Sequence, residues 1–190
     1  LQAAVNNLGS NAVASITAAN RISMFIVCPF DALGSTMATY GGQNVGAGRL
    51  DRLGRGLRSA VILGAIYSAL ILVVLIFFGR DLILLFVSAK EAAVITQAKQ
   101  FLVTNAAFYL MLALVNIVRF LIQGMGFSGF AVFAGVFEMV ARTLVGLVFV
   151  PIFGFTAACS ANPLAWIFAD CFLIPAFFHC RKKLQNAMTR

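Results

Sequence analysis

Apolar residues run along this chain in stretches too long for a soluble core, and the polar ones gather in short patches between them. No charged residue occurs from Ser59 to Gly79, nor from Gln100 to Val118. As a helix rising about 1.5 Å per residue, each stretch crosses a hydrocarbon layer of about 30 Å. The pattern predicts an all-α, polytopic membrane helix bundle. It reads as the end of one helix over residues 1–9, spans over about 12–44, 57–79, 92–123, 130–150 and 160–179, and a basic tail over 180–190.

The breaks have local causes. Ser10 and Asn11 offer capping side chains to the first complete helix, and Pro29 near its middle predicts a kink, because proline deletes one backbone bond and crowds the preceding turn. Arg80, Asp81, Lys90 and Glu91 delimit a loop whose charges cancel, with Leu82 to Val87 at the interface. Gly124, Gly126, Ser128 and Gly129 separate the fourth span from the fifth; Pro151 and Gly154 end the fifth. Ser160 is expected to cap the last helix, with Pro163 in its first turn and Pro175 as a late kink.

Composition agrees with burial in lipid: 62% of residues are hydrophobic, 11% are charged, and mean hydropathy is +0.97. The 14 Lys and Arg against 6 acids could suggest nucleic acid, but their placement argues for topology. Counting crossings puts Arg49, Arg52, Arg55 and Arg58 on the same side as Arg181, Lys182 and Lys183. Cations near span ends mark the cytoplasmic face, so the C-terminus is expected there, in a cell (plasma) membrane protein that binds no nucleic acid. Leu1 is not followed by a signal-peptide pattern, and the chain reads as a piece of a longer protein. Cys28, Cys159, Cys171 and Cys180 have no metal-ligand or disulfide spacing and are expected to be small buried hydrophobes. No catalytic triad, nucleotide loop or metal cluster emerges, so neither an enzyme nor a cofactor is expected.

Ionisable residues inside spans are expensive, about 2.5 to 3.5 kcal/mol each at a helix centre. Glu138 and Asp170 fall near the middles of their helices. Arg142 follows Glu138 at i+4 on one face, with Gly135 and Gly146 on the same stripe, which predicts a face packed on neighbouring helices. The pair is either a structural lock or a site where Glu138 takes up a proton or cation during transport. Asp170 has no basic partner within a turn, so it finds one elsewhere, is protonated, or meets water. Asp31, two residues after Pro29, either caps the broken turn or joins a binding site at an interrupted helix. Arg119 is expected to snorkel to the cytoplasmic surface, and Asn105, Asn116 and Gln123 to make interhelical hydrogen bonds.

The segment from Pro29 to Arg52 resembles the multidrug and toxic compound extrusion (MATE) family. A proline-bearing helix ends there in Gly42, Gln43, Asn44, a free position, Gly46, Ala47 and Gly48, followed by Arg49, Asp51 and Arg52. Gly124-Met-Gly126, Glu138 with Arg142, Pro151 with Gly154-Phe155, and Ala161-Asn-Pro with Trp166 are also similar to the C-terminal half of that family. The resemblance implies a two-lobe exporter of small cationic, amphipathic compounds, driven by exchange for sodium ions or protons. This chain would supply helices eight to twelve and the end of seven, with the N-terminal lobe as missing partner. No acid matches a coordination motif of the family, so none is assigned from it, and Asp31 departs from the usual uncharged residue. The alternatives are a lipid-linked oligosaccharide flippase of related architecture, expected to hold pyrophosphate with several arginines, or a non-transporting membrane assembly subunit.

The topology makes a direct prediction. In a version freed of native cysteines, single cysteines at Arg55 and Lys182 will react with an impermeant maleimide from one side of sealed vesicles, and one at Asp81 from the other. Labelling of the first two from opposite sides would refute the span count.

Overall fold

The computed structural model describes residues 2–188, which are helical apart from short connections. The short α1 (Gln2–Asn6) precedes α2 (Ser10–Gly46) and α3 (Asp51–Leu84). Next come α4 (Ala92–Ala107) and α5 (Tyr109–Gly124), bent by 52° at Phe108 into one broken span. α6 (Ser128–Leu144) runs through a π-helical turn (Val145–Phe149) into α7 (Val150–Phe153), and α8 (Phe155–Met188) closes the chain. Among the described residues four helices are long and apolar enough to cross a membrane, and five spans result when α4 and α5 count as one.

α5 lies at the centre, packed by α2, α3, α6 and α8. An aromatic line runs through this core. The ring of Tyr67 on α3 meets Phe30 on α2 at 5.0 Å, Phe30 meets Tyr109 on α5 at 5.7 Å, and Tyr109 meets Trp166 on α8 at 6.0 Å. Lipid-facing positions are correspondingly greasy: Ile66, Leu70 and Phe77 project from α3, and Phe133, Val140 and Leu147 from the α6 span.

Small residues set the tightest contact, where α2 crosses α5. The Ala38 backbone comes so close to Gly124 that a methyl group on that glycine would collide with the Ala38 carbonyl, and Gly41 packs closely, though less tightly, on Leu121. Both helices then end in the same way. Gly48 (φ 69°) and Gly126 (φ 91°) take the left-handed conformation, and Arg49 N–H donates to the Asn44 carbonyl (2.8 Å) as Phe127 N–H donates to that of Ile122 (3.1 Å). Each is a Schellman closure, which explains physically why the Asn44 to Arg49 segment carries its last glycine where it does.

Several expected boundaries move. Ser10 lies inside α2, whose N-cap is Gly9 without a side-chain bond; Asn11 does not cap either. The fourth helix is not continuous. Asn105 Nδ2 donates to the Phe101 carbonyl (2.8 Å), the acceptor its own backbone N–H would use, and the ladder breaks one turn later. Gly154 (φ 60°) reverses the chain in a single residue, so α8 starts at Phe155, Ser160 caps nothing and Pro163 sits inside the helix. Arg80 and Asp81 belong to α3, and the last helix continues through the basic segment to Met188. Cys28 and Cys171 are exposed, while Cys159 and Cys180 are buried as expected.

The α2–α5 crossing is testable. Gly124→Ala will cost about 1–3 kcal/mol through overpacking and lower the thermal midpoint in detergent. Gly135→Ala, where a methyl group meets nothing within 4 Å, will leave it in place.

Candidate functional site

A proline inside a helix leaves a gap in the backbone ladder, and at Pro163 a side chain from another helix fills it. Pro163 has no N–H for the Cys159 carbonyl four residues back; Asn105 Nδ2 reaches that oxygen from α4 at 3.4 Å. Beside Pro29, the Tyr67 hydroxyl donates to the Ile26 carbonyl at 3.0 Å. In a membrane no water stands ready for such groups, so the donors must come from protein.

From Asn105 a polar chain extends through the bundle. Asn162 Nδ2 on α8 donates to Asn105 Oδ1 (3.1 Å), and Arg142 Nε on α6 donates to Asn162 Oδ1 (3.4 Å). Arg142 Nη2 also bonds Glu138 Oε2 at 3.0 Å, one turn away on the same helix. The other Glu138 oxygen accepts from Arg119 Nη2 on α5. Glu138 is therefore gripped by two guanidiniums while its residue is only 8% exposed, which satisfies a buried carboxylate fully.

Arg119 corrects the sequence reading: its side chain turns inward and pairs with Glu138 instead of snorkelling to the surface. It occupies the same buried side of α5 as Leu112, Val115 and Asn116, so helical periodicity carried a signal that its nearness to the span end obscured. Gly135 also departs from expectation. It is exposed, and the packed stripe of α6 consists of Ala131, Ala134, Glu138 and Ala141.

Asp170 on α8 is the one acid of the interior left open. It is 4% exposed, both carboxylate oxygens lack a hydrogen-bond partner among the described residues, and it lies within the electrostatic reach of Arg119. Asp31 on α2 is exposed and does not cap the turn at Pro29; its Oδ1 accepts from Asn116 Nδ2 on α5 at 2.9 Å. A single turn of α5, Asn116 to Arg119, thus engages Asp31 and Glu138, with Asp170 within electrostatic reach of Arg119. The four ionisable candidates of the spans, Asp31, Glu138, Arg142 and Asp170, converge around it.

The signature residues lie elsewhere, at the end of α2. Gln43, Gly46 and Gly48 are exposed there, Asn44 is buried with its Nδ2 on the Tyr40 carbonyl (2.8 Å), and Asp51 bridges Arg49 (3.2 Å) and Arg55 (2.9 Å). Their geometry is that of a helix stop and a charged surface loop. Above it α2 presents Asp31, Ser35 and Thr39 out of the bundle, a polar face on a helix long enough to span lipid.

Comparison with known proteins places this architecture. The family model MatE matches residues 1–152. Over 87 residues the chain is 28% identical to the probable multidrug resistance protein YoeA of Bacillus subtilis (strain 168), covering 46% of this chain and 19% of that protein. A MOP superfamily transporter from Pyrococcus furiosus superposes with a TM-score of 0.80 at 18% identity, over 94% of this chain and 39% of that one. The inward-facing form of a multidrug resistance MATE family transporter superposes with 0.81 at 18% identity, over 90% of this chain and 39% of that one. The chain thus spans under half the length of these relatives, in keeping with one lobe of a two-lobe fold. It is a multi-pass membrane protein and belongs to the MatE family of transporters.

Proposed function

We propose that the chain is the C-terminal lobe of a secondary active exporter, which moves cationic amphipathic compounds out across the plasma membrane in exchange for sodium ions or protons. The C-terminus lies on the cytoplasmic side in this reading. The observation that carries it is Asp170: a buried carboxyl without a donor, beside an Arg119–Glu138–Arg142 cluster in which Glu138 has a guanidinium on each oxygen and Arg119 Nε is itself without a partner among the described residues. Such a carboxyl gains strongly from any proton, cation or guanidinium that reaches it. Binding there shifts a two-state equilibrium by its differential affinity for the two states, which is what coupling requires. Glu138 then holds Arg119 in place and serves as the lock.

The exposed polar face of α2 supports the same reading. Asp31, Ser35 and Thr39 gain nothing from lipid and are suited to the wall of an aqueous cavity between two lobes. A pyrophosphate-binding flippase is less well supported. Arg119 and Arg142 do face inward, but Glu138 already engages both.

The two acids should separate cleanly. In the full protein reconstituted into liposomes, Asp170→Asn will abolish ion-coupled exchange while its thermal midpoint holds or rises, since an unpaired carboxyl is removed. Glu138→Gln leaves two arginines facing each other and will destabilise the fold by about 3–5 kcal/mol. Normal coupled exchange in Asp170→Asn would return that residue to a packing role.

A further inference from the structure

Where α2 and α3 diverge beside the arginine loop, they leave a groove of about 640 Å³ that the polar network does not use. Its two ends differ in chemistry. Arg49, Arg52 and Arg55 line one end, with Asp51 bonded to the first and third, so three guanidiniums stand against one carboxylate. Arg52 makes no ion pair among the described residues. Leu33, Met37 and Leu63 line the other end, and Leu63 is 58% exposed. Beyond it the exposed Ile66 and Leu70 continue the apolar track along α3 into the span.

The groove is firmly built. The Tyr40 hydroxyl donates to the Arg52 carbonyl at 2.9 Å, which ties the arginine loop to α2. The Tyr40 ring lies so close against Gly56 that a methyl group there would collide with it. A phenol thus forms one wall, directly under the guanidiniums.

We propose that this groove binds an anionic phospholipid, with its phosphate among Arg49, Arg52 and Arg55 and the upper part of an acyl chain along Leu33 and Leu63. Guanidinium forks match phosphate oxygens, and the site sits at the end of a span, where a lipid phosphate lies. Neither part alone selects this ligand. A free anion leaves the apolar end empty, and a neutral lipid leaves the charge excess unmatched. The assignment does not depend on the coupling role of Asp170.

The test uses the purified full protein in detergent, with native mass spectrometry for bound lipid and thermal midpoint as a second readout. Phosphatidylglycerol will be retained and will raise the midpoint; phosphatidylcholine and inorganic phosphate will do so much less. Arg49→Gln and Arg52→Gln will each weaken retention about fivefold, on the scale of one cation near an anionic headgroup. Ser59→Phe, which obstructs the groove without changing charge, will weaken it too, whereas Arg58→Gln and Asp170→Asn will not. Equal binding of phosphatidylcholine, equal stabilisation by phosphate, an equal effect of Arg58→Gln, or a groove that retains no lipid because another lobe fills it would each overturn the proposal.

Discussion

A polar group inside a bilayer has no water to fall back on, and nearly every departure from ideal helix in this lobe answers to that fact. Proline removes a donor from a helix, and the carbonyl left behind is costly unless another part of the protein supplies one. Asn105 does so for the Cys159 carbonyl at Pro163, while Tyr67 adds a donor to the Ile26 carbonyl in the turn before Pro29. Asn105 also turns back on its own helix at the Phe101 carbonyl, and the bend at Phe108 follows. One amide therefore links the break in α4–α5 to the proline in α8.

The same requirement organises the charges. Glu138 is held from two helices, and Arg142 passes its second contact to Asn162 and so to Asn105. A guanidinium on each oxygen of Glu138 allows the carboxylate to sit among apolar helices. Asp170 stands beside this set without joining it by a hydrogen bond, and Arg119 Nε is likewise without a partner among the described residues. Because Asn116 and Arg119 lie on one turn of α5, a rotation of that turn would disturb the Asp31 and Glu138 contacts together.

Much of this was legible in the order of residues. Charge-free runs located the spans, and the i+4 spacing of Glu138 and Arg142 foretold their contact. What escaped was information held between helices. Helical periodicity put Arg119 on the buried side of α5, but its nearness to a span end permits snorkelling equally well, and the partner that decides between them lies on another helix. The meaning of Pro163 depended on α8 starting at Phe155, and that followed from Gly154 turning the chain in one residue rather than several. The bend at Phe108 carries neither proline nor glycine, so the usual sequence marker of a kink was absent.

The π-helical turn between α6 and α7 has a consequence for how the Gly154 end of the bundle is assembled. Up to it the inward positions advance by ordinary helical steps through Ala134, Glu138, Ala141 and Val145; within it Gly146 is buried beside Val145, and the next inward position is Val150, with Phe149 left outside. One surplus residue is absorbed there as a wider ring of backbone bonds. The helical face that carries the charges and the face that meets Gly154 are thereby set at independent angles, so the turn into α8 can be aimed without twisting Glu138 away from α5.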